Sequence, residues 1–306
     1  MLHDDKSFFE QIVLKVSAVK GIDAAIVEKD YFVTLFLKEL SHRIPNIIFK
    51  GGTSLSKCFG LIERFSEDVD LNLISNKSNS PTESERKVLK EAIEGTSDSL
   101  GFTLLNPESI DSKKRFNRFV FDFGSIFESG YLKSNLVVEV ATSIPSYPVQ
   151  EAPLTSFLGQ FLASLEGDND LFHDFLRPVF INVQAPVRTL IDKIFAICDY
   201  YISNDIIEHS RHIYDIYKLI SSIDMNSVFF EIYEKVRVDR QKNKTCLSAM
   251  NGVDMISLLS KIVTSQIFKN DYNSITESLL FERIDYNVAI RGIETVINGF
   301  RRYENS

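Results

Sequence analysis

Phe49-Lys50-Gly51-Gly52-Thr53-Ser54-Leu55-Ser56-Lys57, followed shortly by Arg64-Phe65-Ser66-Glu67-Asp68-Val69-Asp70-Leu71, is the stretch on which the reading of this chain turns. Ile47-Ile48-Phe49 is a short apolar run between Pro45-Asn46 and Gly51-Gly52, bounded as a buried strand is bounded. Thr53 and Ser54 suit the start of a helix, and the spacing predicts one running to Phe59. Val69 to Ile74 alternates apolar and polar residues, the pattern of a half-buried strand. The segment therefore reads strand, glycine turn, short helix, strand.

That order has chemical content. Glycines let a backbone approach a phosphate without a Cβ in the way, and the helix start that follows offers unsatisfied N–H donors to an anion. Thr53 or Ser54 adds a hydroxyl. Asp68 and Asp70 are two apart, so on a strand rising ~3.3 Å per residue both side chains leave the same face, about 6–7 Å apart. Two such carboxylates share divalent ions whose remaining ligands are waters and substrate phosphates, as Mg²⁺ prefers, and paired ions suit in-line nucleotidyl transfer. Taken alone, an Asp-x-Asp is common and is more often a solvated strand end than a metal site.

Outward from this segment, residues 7–20 and 27–43 carry apolar positions at three- and four-residue spacing and read as helices, as do residues 82–100, after a polar loop from Ser75 to Ser80. Arg118 to Phe123 and Leu136 to Val140 read as strands, with Leu136, Val138 and Val140 on one face and Val137 and Glu139 on the other. Glu139 is either a third carboxylate for the Asp68–Asp70 pair or a residue facing water from an edge strand. From residue 154 the periodicity is helical, over 154–165, 186–203, 209–224, 226–240, 252–268 and 273–299, apart from a short strand at Val179 to Val183. Pro186 suits a first helical turn, which puts the boundary near Gln184-Ala185-Pro186. The expected fold is α+β: a small mixed sheet flanked by helices over residues 1–183, then an all-helical domain over 184–306, with the site in the cleft between them.

The helical half contains two pairs at i,i+4 spacing, Thr189 with Lys193 and Arg211 with Asp215. Lys193 borders an apolar face made by Leu190, Ile194, Ile197 and Cys198, a position suited to neutralising a triphosphate. Asp215 either holds Lys193 or helps deprotonate an acceptor hydroxyl; the plain alternative is an Arg211–Asp215 surface ion pair.

Composition limits the remaining function classes. The 306 residues include 34 Lys+Arg against 42 Asp+Glu, a formal charge of −8, which argues against a general nucleic-acid coat because Lys and Arg supply non-specific affinity. Two local clusters, Lys113-Lys114-Arg115 with Arg118 and Arg237-Arg240-Lys242-Lys244, are either basic tracks or ordinary solvated surface. With 44% hydrophobic residues and 24 Phe, a packed core is expected and general disorder excluded. Cys58, Cys198 and Cys246 form no CxxC and no disulfide framework, so a reducing cytoplasm is expected; Cys58 fits a small core residue. MLHDDKSFFEQ lacks the basic and apolar regions of a signal peptide, and the most apolar stretch, TLIDKIFAICDYYI, is broken by Asp192, Lys193 and Asp199, so no membrane span is expected. The five histidines have no zinc-ligand spacing and are expected mostly at the surface.

GGTSLSK with RFSEDVDL resembles the first motif of nucleotidyltransferases of the DNA polymerase β superfamily, and specifically the AbiEii/AbiGii toxin family of bacterial toxin–antitoxin and abortive-infection systems. Glu28-Lys29-Asp30-Tyr31 resembles that family's N-terminal helix, and Thr189-Leu190-Ile191-Asp192-Lys193 with Asp215 resembles its later Thr-x-x-x-Lys and Asp elements. The resemblance implies Asp68, Asp70, Lys193 and Asp215 as catalytic residues, Gly51, Gly52, Thr53, Ser54, Lys57 and Ser66 as nucleotide-binding residues, and Asp68, Asp70 and Glu139 as ligands of Mg²⁺, with Mn²⁺ as an alternative ion. It further implies an NTP substrate, growth inhibition through an RNA acceptor such as the tRNA 3′ end, and a cognate antitoxin as partner. Competing readings are transfer to a small molecule or protein, and a non-catalytic nucleotide-binding module.

Overall fold

The computed structural model describes residues 1–66, 68–75, 80–127, 134–165 and 179–305; Glu67 of the motif and His173 among the histidines lie outside them. The chain divides into two compact units, one made of Met1–Phe59, Glu67–Ser143 and Val149–Val183, the other of Gly60–Ser66, Ile144–Pro148 and Gln184–Ser306.

The first unit is built on a seven-stranded mixed sheet. Its strands are β1 (Ile47–Lys50), β2 (Asp68–Leu73), β3 (Thr103–Leu104), β4 (Phe116–Asp122), β5 (Asn135–Ala141), β6 (Val149–Leu154) and β7 (Val179–Gln184), in the order β3-β4-β5-β2-β1-β7-β6. β2 runs antiparallel to β1 and parallel to β5, while β4 is antiparallel to β5 and β1 parallel to β7. Period-two alternation gives one face to Ile47, Phe49, Val69, Leu71, Leu136, Val138, Phe119 and Phe121, all buried. α1 (Lys6–Lys20), α2 (Ala24–Arg43), α4 (Glu83–Ser99) and α5 (Phe157–Ser164) contribute to the same core. α2 packs against the other three and is buried nearly all round, at Val27, Tyr31, Phe32, Phe36, Leu37 and Leu40 among others. Each such side chain contributes ~1.5–3 kcal/mol on burial. α4 begins with a capping box, Thr82 and Glu85 each satisfying the other's backbone N–H. α3 (Gly51–Phe59) follows β1 without a break.

The second unit is helical: α6 (Pro186–Ser203), α7 (Arg211–Ile220), α8 (Ser227–Gln241), α9 (Met255–Ser265) and α10 (Arg291–Glu304), with α6 packed on α7, α8 and α9, and α10 on α7 and α9.

Two expectations from periodicity are corrected. The helix read from residue 154 begins at Phe157, because Val149–Leu154 forms strand β6 at the sheet edge, where Pro153 is tolerated. The continuous helix read over 273–299 is broken: a π-helical turn Tyr272–Thr276 and short turns precede α10, and between them Leu280 forms a β-bridge with Arg64. Phe65 N–H donates to Leu279 O at 2.8 Å and Phe281 N–H to Glu63 O at 3.0 Å. Tertiary pairing with the 60–66 segment overrides helix periodicity there.

Candidate functional site

The face of the first unit's sheet opposite the apolar core carries a transverse charged row. Lys50 on β1 is the register partner of Asp70 on β2, Asp70 of Glu139 on β5, and Glu139 of Arg118 on β4. Paired residues project from the same face, so the row reads cation, anion, anion, cation across four strands. Asp68 lies on that face two residues before Asp70, opposite Val137. β5 lies between β2 and β4, so Glu139 is on an interior strand and the edge-strand reading falls. Arg118 Nε approaches Glu139 Oε1 at 3.3 Å. Asp70 and Glu139 set two like charges side by side, an arrangement that costs stability unless cations offset it. Sequence reasoning named Lys50 without a role; its position as the last residue of the strand before the glycines was the available signal.

The glycine turn is pressed against this row. Gly51 has φ +78°, and a Cβ built on it would overlap the Asp70 carboxylate. Only glycine satisfies both conditions, since the left-handed region is unfavourable for other residues. The Asp70 carboxylate thus sits at the N-terminal, positive end of α3. Thr53 Oγ donates to the carbonyl of Asp68, tying α3 to β2, and Ser54 Oγ donates to Gly51 O at 2.9 Å. Both hydroxyl protons are committed to backbone carbonyls, which leaves the backbone N–H groups at the start of α3 as the donors this turn offers.

Lys57 is engaged elsewhere in the fold. Its Nζ donates to Asp30 O at 2.9 Å and Thr34 Oγ1 at 2.8 Å, and forms an ion pair with Asp30 Oδ1, with both side chains under 10% exposed. Asp30 Oδ2 accepts from Phe157 N at 2.7 Å, so one carboxylate organises α2, α3 and α5. Glu28, two residues earlier on α2, accepts from Ser125 Oγ, Ile126 N and Phe127 N; burial nevertheless raises its pKa. Cys58 packs against the core, and burial pushes its thiol up to about 12.

Lys193, Asp215 and Ser66 belong to the second unit. Asp215 has no exposed side-chain surface and receives the Arg64 guanidinium in a bidentate fork, Nε to Oδ1 at 2.7 Å and Nη2 to Oδ2 at 2.8 Å. Lys193 Nζ lies 3.2 Å from Oδ2. Burial alone would raise the Asp215 pKa, but Arg64 and Lys193 outweigh it and hold the carboxyl well below the usual range. This excludes the surface Arg211–Asp215 pair, and it brings in Arg64, which sequence spacing gave no way to join to Asp215. Ser66 is half-buried. His212 is buried beside the same group, and burial, with Lys193, Arg211 and Arg64 nearby, lowers its pKa well below the ordinary value. Of the described histidines only His42 is exposed, contrary to the surface expectation.

The basic cluster at 237–244 is largely neutralised. Arg237 pairs with Glu234 at 2.7 Å, Lys242 with Asp239 at 2.6 Å, and Arg240, only 11% exposed, with Asp199 at 2.7 Å.

Among the described residues no three His, Cys, Asp or Glu side chains, Asp68, Asp70 and Glu139 included, are gathered closely enough to hold a metal ion by themselves. The donor set still suits Mg²⁺, which is held through one or two carboxylates with waters and substrate phosphates rather than by an all-protein cage. Asp68, Asp70 and Glu139 offer hard oxygens from one sheet face, beside an adjacent pair of like charges that a cation would offset.

Comparison with known proteins places the chain in a family. The family model for nucleotidyl transferase AbiEii toxins of type IV toxin–antitoxin systems matches residues 35–298. Among solved structures, the nucleotidyltransferase toxin MenT4 of Mycobacterium tuberculosis is similar at 16% identity and TM-score 0.47, with 94% of this chain and 98% of that one covered. JHP933 of Helicobacter pylori is similar at 14% identity and TM-score 0.44, with 91% and 92% covered. No curated protein sequence matches the chain.

Proposed function

The chain belongs to the AbiEii family of nucleotidyl transferase toxins of type IV toxin–antitoxin systems, and from that premise we propose that it transfers NMP from an NTP to an RNA acceptor, the tRNA 3′ end, in a Mg²⁺-dependent reaction. The observation that carries this reading is the register pairing of Asp70 with Glu139 on the face where Gly51 meets the Asp70 carboxylate. Carboxylates and an amide-rich helix start are thereby presented together, as a metal–triphosphate substrate requires.

In this reading Asp68, Asp70 and Glu139 hold the ion, and the backbone N–H groups of the Gly51–Ser54 turn take phosphate oxygens. When bound, the ion polarises the phosphoryl group and templates the in-line geometry. An acceptor hydroxyl attacks the α-phosphorus, the bond to the bridging oxygen breaks, and pyrophosphate leaves. Lys193 is the proposed phosphate cation, and Asp215 the fixed anion that orients it. A carboxylate forked by Arg64 and touched by Lys193 has little proton affinity, which argues against its use as a general base. Lys57, spent on Asp30, supports the α3 position from beneath, and Ser66 remains a candidate contact to the nucleotide. A cognate antitoxin is the proposed cellular partner.

The test is incubation of the protein with total RNA and each labelled NTP in Mg²⁺ or Mn²⁺. Label should enter RNA of tRNA size and be lost in Asp68→Ala. Label on the protein itself or on a small molecule, with none on RNA, would overturn the acceptor assignment.

A further inference from the structure

The sheet face that carries Asp70 and Glu139 continues, on β4, into an exposed basic and aromatic surface that no step above uses. Phe116 is the register partner of Ala141, two residues past Glu139 on β5, and Arg118 is the partner of Glu139 itself. Alternation along β4 buries Asn117, Phe119 and Phe121 and leaves Phe116 52% exposed and the Arg118 side chain 45% exposed on the carboxylate face. With strands ~4.8 Å apart and ~3.4 Å of rise per residue, Phe116 and Asp70 lie roughly 12 Å apart at Cα. Gly51 and Asp68 lie on the opposite side of the Lys50–Asp70–Glu139–Arg118 row from Phe116, because β1 runs past Lys50 toward Asp68 while β4 reaches Phe116 in the other direction. The carboxylates stand between the glycine turn and the aromatic ring.

The turn leading into β4 is a built structure. Asp111 and Asn117 exchange two hydrogen bonds, Asp111 N to Asn117 Oδ1 at 2.9 Å and Asn117 Nδ2 to Asp111 O at 2.9 Å. Arg86 donates to the carbonyls of Ser112, at 2.9 Å, and Lys113, at 3.2 Å. Lys113, Lys114 and Arg115 are exposed on this pinned turn, and among the described residues no acid forms a salt bridge with any of them; Lys114 Nζ reaches the Ser109 carbonyl at 3.1 Å. In a protein of net charge −8, three adjacent cations with no salt-bridged acid among the described residues form a local exception, and the exposed ring of Phe116 follows them directly in the chain. Phosphate-neutralising cations interleaved with an aromatic stacking surface are the recognition chemistry of single-stranded nucleic acid.

We infer that Phe116 and the Lys113–Arg115 turn form the docking surface for the single-stranded 3′ end of the RNA acceptor, with a base stacked on Phe116 and phosphates on the three cations. The inference rests on the proposed RNA-acceptor reading and adds the direction of approach: the acceptor strand reaches the carboxylates from the β4 side and the NTP from the glycine-turn side.

The test uses the full chain with a fluorescent RNA carrying a single-stranded 3′ overhang and the matching blunt duplex, read by anisotropy, together with transfer of labelled NMP to the same RNAs. Phe116→Ala should weaken overhang binding tenfold or more and raise the KM for RNA, Phe116→Trp should restore both, and NTP binding should be unchanged in each. Replacing Lys113, Lys114 and Arg115 by Ala together should flatten the slope of log affinity against log salt by about 2, the single-strand value for three lost phosphate contacts. Wild-type labelling of RNA with Phe116→Ala binding and labelling equally well would overturn this inference and leave the RNA-acceptor reading intact, as would equal affinity for blunt duplex. Labelling of some other acceptor and no RNA by the wild type would overturn both.

Discussion

Arg64 and Asp215 are 151 residues apart in sequence and meet through two charge-assisted hydrogen bonds with both side chains at or below 2% exposure. Arg64 is held from the other side as well, since Phe65 and Glu63 pair with Leu279 and Phe281 in backbone hydrogen bonds that interrupt a helix. Removing one partner of a buried pair leaves an uncompensated charge, which typically costs ~3–5 kcal/mol. Arg64→Ala and Asp215→Ala should each lower stability by about that amount in chemical denaturation. The double variant should cost less than the sum, because neither charge is then stranded. Full additivity would show that the fork carries no coupling.

Asp215 and His212 also set opposite ends of an acid titration. The His212 imidazole is held neutral by burial and by Lys193, Arg211 and Arg64, with only Asp215 favouring its charge. The unfolded chain therefore binds a proton at this position below its ordinary pKa of ~6.5 and the folded chain does not, so stability falls as pH drops through that value. Asp215 behaves differently: its folded pKa is depressed, so its contribution is complete above ~4 and is lost only as pH falls below that. Denaturation midpoints should decline from pH 7 to 5, and His212→Gln should flatten that limb while leaving the loss below pH 4. An unchanged slope in His212→Gln would assign the decline to another group.

Gly51→Ala should be the most damaging small substitution in the first unit. It places an L-residue at φ +78° and drives its methyl into the Asp70 carboxylate. The backbone term alone is ~1–2 kcal/mol, and the displaced carboxylate should cost nucleotide transfer more than thermal stability. Transfer lost by at least tenfold with a modest fall in Tm is the expected result; equal proportional losses would indicate a general folding defect.

What could be read from the sequence was local. The strand, glycine turn, helix and strand over residues 47–74 are written in consecutive residues, and Asp68, Asp70 and Glu139 followed from period two. What could not be read was which distant side chain completes each group. Asp30 lies 27 residues from Lys57, so a lysine beside a glycine turn looks like a phosphate ligand until α2 is packed against α3. The Glu139–Arg118 and Asp70–Lys50 neighbours depend on strand order, which alternation does not encode. In the 237–244 cluster Glu234 and Asp239 are close in sequence to the cations they pair with, whereas the acids that meet Arg240, Asp192 and Asp199, come from another helix and give no local signal.

Lys57 gives the sharpest separation between a structural and a nucleotide-binding role. Its amine meets two oxygens of Asp30 and the Thr34 hydroxyl, and Asp30 in turn caps Phe157 N–H. Lys57→Met keeps the stem and removes the charge, leaving the Asp30 carboxylate buried against the Phe157 N–H of α5 without its cation. That should destabilise the first unit by ~3–5 kcal/mol, and the variant should recover substantially when Asp30→Asn is added, since the stranded charge is then gone. If Lys57 instead grips the triphosphate, Lys57→Met would raise the KM for NTP with little change in Tm, and Asp30→Asn would rescue nothing. Calorimetry and NTP titration on the same three variants distinguish the two outcomes.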